Sequence, residues 1–307
     1  KTINAKIINF KENKKYQMNE STLKFIKCPK CNGIVDLEIY EDKKEIIEGI
    51  LKCDKCELIF PIIDKIPIML NDFKKYISEH RILSGKIYRL ASSKEVKKFL
   101  KSTLDGIIWE NNDKSGIEER WTQIYNNNKN NNFYKKIKSH IEKIPKSKSV
   151  LEYGSSIGII SNHISNLSEN VFGIDKSFSA IQYAKRSQKN NLDYIVSDFA
   201  SHPFGNKKFD LIIGLNVLEL MEPEILLKIM SNQISNGHLV ISDPYDYDRG
   251  INSVKQPMNE NILREKLIEF KFKIINNTKK PSFTPWNLKL YDRASLNYKV
   301  DIIIAKK

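Results

Sequence analysis

Four cysteines are the whole cysteine complement of this 307-residue chain, and they fall as Cys28-Pro-Lys-Cys31 and Cys53-Asp-Lys-Cys56. Thiolates in two such pairs, each on a tight turn, can close a tetrahedron around a zinc ion. Two disulfides or unrelated buried thiols are the competing readings. A chain without a secretory leader seldom keeps disulfides, and here no cysteine is left over. Four protein ligands leave the ion no open position, so the expected role is structural. A segment of about fifty residues buries too little apolar surface to fold unaided, and the metal would supply the missing free energy.

A second chemical signal is the run SVLEYGSSIGIIS at 149–161, containing Glu152-Tyr-Gly154-Ser-Ser156-Ile-Gly158. Small residues let the backbone approach a ligand, and a helix opening just after them presents unpaired N–H groups. An acid before the first glycine would repel a pyrophosphate but suits the ammonium group of an amino acid. Asp175 lies about 20 residues on, at the end of the next apolar run. Asp198-Phe199 and Asn216 end two later apolar runs. Singly, each of these aspartates reads as a helix cap or a loop acid.

From Lys148 onward, apolar runs alternate with amphipathic segments. SVLEY, NVFGID, DYIVSD, KFDLIIGL and GHLVISD read as strands with helices between them, and FKIINN and YKVDIIIAKK read as the last two strands. This pattern predicts an α/β fold: a Rossmann-like, mostly parallel sheet of seven strands, with ligand bound beyond the strand C-termini. Residues 71–145 instead repeat apolar residues every three or four positions, which predicts a helical connector or cap. NNNKNNN at 126–132 reads as an exposed turn, and Pro145 ends the last helix. Trp109, Trp121 and Tyr125 could cover a pocket, although core is the commoner role for such residues. The division is thus 1–70 for an arm and ribbon, 71–145 for the connector and 146–307 for the α/β domain.

Two families resemble these segments. LKCDKCELIFPIIDKIPIML at 51–70 resembles the small zinc-ribbon subunit that activates tRNA, rRNA and protein methyltransferases, through Phe60, Pro61, Ile62, Asp64, Ile66, Pro67, Met69 and Leu70. That resemblance implies an apolar tail lying against a methyltransferase. The glycine turn resembles motif I of the class I S-adenosylmethionine-dependent methyltransferases, Asp/Glu-x-Gly-x-Gly-x-Gly, with Ser156 at the usual middle glycine. It implies that Glu152, Gly154, Ser156 and Gly158 hold the methionine end of the donor and Asp175 the ribose. By the same resemblance Asp198 and Phe199 would hold the adenine, and Asn216 would lie beside the sulfonium.

Methyl transfer from a sulfonium is an in-line displacement that needs position more than acid catalysis, so no catalytic triad is required. SDPYDYDRG at 242–250 follows the fifth strand, making Asp243, Tyr245, Asp246 and Tyr247 candidates for the acceptor side, with Asn216, Tyr245 and Asp243 nearest the chemistry. The long KKPSFTPWNLKLYDRASLN segment predicts a lid in which Phe283, Trp286, Tyr291 and Arg293 enclose a substrate. A small molecule or peptide with a cationic or heteroaromatic nitrogen is the preferred acceptor, and RNA or protein docked on the ribbon is the alternative. A scaffold without turnover is a third class, suggested by Ser156.

Net charge is +14, but arginine occurs only at Arg81, Arg89, Arg120, Arg186, Arg249, Arg264 and Arg293, and the lysines are scattered. That fits compositional bias better than a nucleic-acid face. No run approaches the roughly 18 apolar residues of a membrane span, and KTINAKIINFKENKK lacks a secretory core, so a cytoplasmic protein is expected.

Overall fold

The computed structural model describes residues 20–43, 45–187, 189–248 and 254–307. The N-terminal arm, read above as lacking an export leader, lies outside them, as do Arg249 and Gly250. The chain runs α1 (Glu20–Phe25), β1 (Val35–Asp42), β2 (Ile46–Cys53), β3 (Ile59–Ile63), β4 (Ile66–Met69), α2 (Phe73–Ser78), α3 (Arg81–Leu90), α4 (Lys94–Leu104), α5 (Ser115–Asn127) and α6 (Asn132–Ile141). It continues β5 (Ser149–Tyr153), α7 (Ile159–Ile164), β6 (Asn170–Asp175), α8 (Phe178–Ala184), β7 (Leu192–Ser197), β8 (Leu211–Leu215), α9 (Pro223–Asn232), β9 (His238–Asp243), α10 (Glu260–Glu269), β10 (Lys273–Ile274), β11 (Thr284–Tyr291) and β12 (Ala294–Lys306). Side-chain caps mark the helix starts: Asp72 accepts the Lys75 N–H, Ser93 that of Val96, Asn131 that of Phe133 and Ser177 that of Ala180. Each satisfies a donor that the first helical turn leaves open. Proline opens α9, where its missing N–H costs nothing.

By packing, the described residues fall into two units: those up to Thr122 with Ile174–Gly205, and Gln123–Gly173 with Asn206–Lys307. The division falls inside α5 and inside β6.

In the first unit β1, β2, β3 and β4 form an antiparallel meander, with Leu51 opposite Phe60 and Ile62 opposite Pro67. β4 then pairs in parallel with β7, setting Ile68 against Val196 and Met69 against Ser197. Ile66, Ile68 and Met69 are fully buried. The apolar tail therefore serves as a strand of a larger sheet. Around it, Gln182 of α8 donates to Asp64 at 2.8 Å, Thr22 bonds Asp193, and Ser93 at the head of α4 donates to the buried Glu48 of β2 at 2.8 Å.

In the second unit β5, β8 and β9 are parallel, with Tyr153 opposite Gly214 and Gly214 opposite Ile241. β12 runs antiparallel to β9 and also pairs with β10 and β11. The solid apolar runs VLEY, LIIG and LVIS are buried along their length, as parallel strands covered on both faces must be.

Two sequence expectations need correction here. FKIINN contributes only Lys273–Ile274 as strand, because the chain turns at 276–278 directly after Ile275 donates to the Ile304 carbonyl of β12. The expected lid does not form. Its core, TPWNLKLY, is β11, paired with β12 from Thr284 opposite Val300 to Tyr291 opposite Ala294. Alternate residues Thr284, Trp286 and Leu288 are buried on one face, the period of a half-covered strand. The asparagine-rich turn serves this strand: Asn128 both donates to Lys289 O (3.0 Å) and accepts from Lys289 N–H (2.9 Å), and Asn131 bonds the Asn287 carbonyl. These side chains satisfy backbone groups of β11 that strand pairing leaves open.

Candidate metal centre and donor site

Two matching turns build the metal centre. Cys28 N–H donates to Gly33 O and Cys53 N–H to Leu58 O, both at 2.9 Å, and Asn32 and Glu57 each follow a second cysteine in the left-handed region, at φ 57° and 59°. A Cβ on Gly33 would stand 2.7 Å from Asp54 Oδ1 and 2.9 Å from Cys53 Sγ, so this turn closes only around glycine. All four Sγ atoms lie within 4.8 Å of one another, with Cys28 to Cys56 at 3.6 Å and Cys31 to Cys53 at 3.4 Å. A zinc ion with Zn–S near 2.3 Å spaces its thiolates about 3.8 Å apart, so the set fits a closed structural zinc site. Burial pushes the Cys28 thiol up to about 12, while the Leu58 backbone lowers Cys56 to about 7. A cation between them would draw every thiol to thiolate.

The glycine turn lies in the second unit. Gly154, Ser156 and Gly158 all have positive φ, at 67°, 47° and 76°. Alternate left-handed residues fold the backbone into a crook between β5 and α7, and they explain why glycine is usual at all three positions. Ser155, between them, is buried with its hydroxyl unpartnered among the described residues. Glu152 is buried, and its Oε2 accepts the Ser161 N–H at 2.8 Å and the Ser161 hydroxyl. This carboxylate ties β5 to the first turn of α7 and fixes the crook.

Asp175 and Asp198 lie in the first unit. Asp175 Oδ1 accepts the Ser177 N–H at 2.9 Å and Asp198 Oδ1 the Ala200 N–H at 3.0 Å, so each also shapes its own loop. Lys176 stands 3.4 Å from Asp198 Oδ2, and Phe199 is buried.

In the second unit, the ends of β8 and β9 meet. Asn216, left-handed at φ 55°, donates its N–H to Ser242 O and accepts from the Ser242 hydroxyl, both at 2.8 Å. Asp243 is buried, and its Oδ1 accepts the Tyr245 N–H. The Tyr245 hydroxyl instead donates to Asp301 Oδ2 at 2.8 Å, where Arg264 forms a two-pronged pair with Asp301 at 2.6 and 3.2 Å. Burial first, then the Asp301 charge, drives its pKa far up. Tyr245 thus anchors the loop after β9 through Asp301. Burial likewise raises the half-buried Tyr247, with the Asp243 charge adding to it.

The substrate set drawn from the expected lid is not brought together. Trp286 is 3% exposed, packed among Tyr125, Phe133 and Tyr298 with ring centroids 6.3, 5.5 and 5.6 Å away. It is core, as the alternation of β11 demands. Phe283, Tyr291 and Arg293 are exposed at the ends of the β11–β12 hairpin. Trp109 lies under Arg81, 5.8 Å from its guanidinium carbon.

Sequence reasoning missed two polar groups. Tyr76, His80 and Glu118 meet beside Ser177 in the first unit, and Arg264 and Asp301 hold Tyr245 in the second. Residues so far apart in the chain leave no local signal.

Residues 151–241 match the methyltransferase domain family, and residues 19–64 match the Trm112p-like protein family. The chain is 42% identical to a UPF0434 protein of Dechloromonas aromatica (strain RCB) over 55 residues, 18% of this chain and 83% of that protein. It is 32% identical to the candidate methyltransferase 235L of Invertebrate iridescent virus 6 over 97 residues, 31% of this chain. The match spans about a third of the viral protein, 36%. Magnesium protoporphyrin IX methyltransferase from Synechocystis PCC 6803, solved with bound S-adenosylhomocysteine, superposes with a TM-score of 0.48 at 16% identity, covering 63% of this chain and 94% of that one. Fold, crook and sulfur cluster together define a class I methyltransferase domain that follows a zinc ribbon. Residues 151–241 thus carry a methyltransferase domain, and residues 19–64 a Trm112p-like ribbon ahead of it. Among the described residues no helix is long and apolar enough to cross a membrane.

Proposed function

We propose that the protein N-methylates a small molecule or peptide bearing a cationic or heteroaromatic nitrogen. The observation that carries the donor side is the crook of three left-handed residues at Gly154, Ser156 and Gly158. A donor bound there supplies a methyl group on a sulfonium, whose departure needs no proton. Glu152 fixes the crook and gives it negative charge toward an ammonium group. Asp175 takes the ribose hydroxyls, Asp198 and Phe199 the adenine, and Asn216 stands at the methyl-bearing sulfur. These assignments follow the order of the family motif on this chain.

On the acceptor side, Asp243 ends β9, and Asp246 and Tyr247 follow it, within the unit that holds Asn216. Carboxylates there suit a cationic amine, and Asp243 is the proposed acceptor of its proton. Tyr245 positions this loop through Asp301. A macromolecular acceptor is the second reading, favoured by the Trm112p-like match. β4 of the ribbon pairs with β7 of its own chain, so its apolar tail is occupied within the chain.

Incubation of the protein with methyl-labelled donor and separate small-molecule, RNA and protein fractions of a cell extract decides between them. Label in the small-molecule fraction alone supports the first reading. Label in RNA or protein overturns it, and label nowhere favours a scaffold without turnover.

A further inference from the structure

We infer that Tyr76, His80 and Glu118, brought together from α2, the N-cap of α3 and α5, form a positioning network that holds the Asp175 turn in its donor-binding shape. This rests on the reading of Asp175 as the ribose ligand.

His80 is 3% exposed, and each ring nitrogen faces an acceptor. Nδ1 lies 2.7 Å from the Tyr76 carbonyl and Nε2 2.9 Å from Glu118 Oε1. Both acceptors are satisfied only when both nitrogens carry protons, so the geometry selects the imidazolium. Glu118 gathers two further donors, the Tyr76 hydroxyl at 3.2 Å and the Ser177 hydroxyl at 2.8 Å. The Tyr76 oxygen in turn accepts the Phe178 N–H at 3.1 Å. Two donors at the head of α8 are therefore held from the connector. Ser177 is the hinge of the arrangement: its hydroxyl points to Glu118, while its N–H donates to Asp175 Oδ1 at 2.9 Å.

None of these contacts is needed to cap α8, because Ser177 already accepts the Ala180 N–H at 3.2 Å. Their effect is to fix which way the Ser177 backbone, and with it the Asp175 carboxyl, faces. Charge surrounds the imidazole from each packed element: Glu118 from α5, Glu79 beside it in the chain, and Asp113 ahead of α5. Lys114 pairs with Glu79 at 2.8 Å. Burial pulls the His80 pKa down, but the Glu118 bond and charge, the Tyr76 carbonyl and Glu79 together outweigh it, so the net direction is up. Alkaline pH removes the shared proton, leaves Tyr76 O or Glu118 without its donor, and frees Glu118 to release Ser177.

Calorimetric titration of the full, zinc-loaded chain with S-adenosylmethionine between about pH 6.5 and 9 tests this. Wild-type affinity should fall as pH rises through the His80 titration. Glu118→Gln should weaken S-adenosylmethionine binding about tenfold, the loss expected for one hydrogen bond to a charged group. His80→Gln should bind weakly and lose the pH dependence. Should Glu118→Gln fail to fold, Tyr76→Phe removes only a hydroxyl and should still weaken the donor. If these variants bind like wild type at every pH while Asp175→Ala loses binding, the network is inert although the ribose reading stands. Wild-type affinity in Asp175→Ala would overturn that reading and the inference with it.

Discussion

Met69, the last residue of β4, lies opposite Ser197 in parallel register, one residue before Asp198. The zinc ribbon thus ends as a strand beside the one that leads into a proposed adenine-binding residue. Metal, ribbon and methyltransferase strand form a single mechanical series, because β4 hangs from a meander whose entry loop before β1 and whose β2–β3 turn carry the four thiolates.

Removal of the metal should therefore be felt in β7. With a strong chelator, the amides of Ile66–Met69 and of Leu192–Ser197 should lose hydrogen-exchange protection together, since a small metal module rarely survives without its ion. Persistent protection of both strands in zinc-free protein would show that the ribbon folds on its own core.

Ser156 occupies a left-handed conformation at φ 47° that glycine adopts without cost. Ser156→Gly should relieve about 1 kcal/mol of backbone strain, raising Tm by a few degrees, with donor affinity equal or tighter. A lower Tm together with weaker donor binding would mean that the hydroxyl itself is needed in the crook.

Trp286 fills the space between β11, α5 and α6, so Trp286→Ala should cost about 3–5 kcal/mol in denaturant unfolding. Acceptor KM should change little in protein that remains folded. A raised KM at unchanged stability would restore the tryptophan to the substrate site.

Burial holds His202 down at about 4, below its ordinary 6.5. The unfolded chain then takes up the proton first as pH falls, so this contribution is complete above 6.5 and is lost as pH drops toward 4. The loss should reach about 3 kcal/mol, and His202→Asn should flatten that part of the stability profile. An unchanged profile in the variant would assign acid sensitivity elsewhere.

How much was legible follows from the range of each interaction. Cys28, Cys31, Cys53 and Cys56 announce themselves because each turn is local and the ligand spacing is fixed by it. Glu152 through Gly158 is legible for the same reason: one short crook carries the geometry. β11 was misread because Pro285 and its aromatics suggested a loop, although TPWNLKLY alternates buried and exposed residues along its length. Its pairing with β12 outweighed composition, and Pro285 is tolerated because this strand pairs on one side only. Tyr245 looked catalytic until Asp301, 56 residues away, claimed its hydroxyl. Tyr76 meets Glu118 across 42 residues. Only the folded connector makes that contact, and no periodicity encodes it.

The most direct measurement is calorimetric titration of the zinc-loaded chain with S-adenosylmethionine, wild type beside Asp175→Ala. The account expects one micromolar site in the wild type and no measurable site in the variant, with zinc content and far-ultraviolet circular dichroism unchanged. A wild type that takes up no donor, or a variant that binds it equally well, would contradict the account.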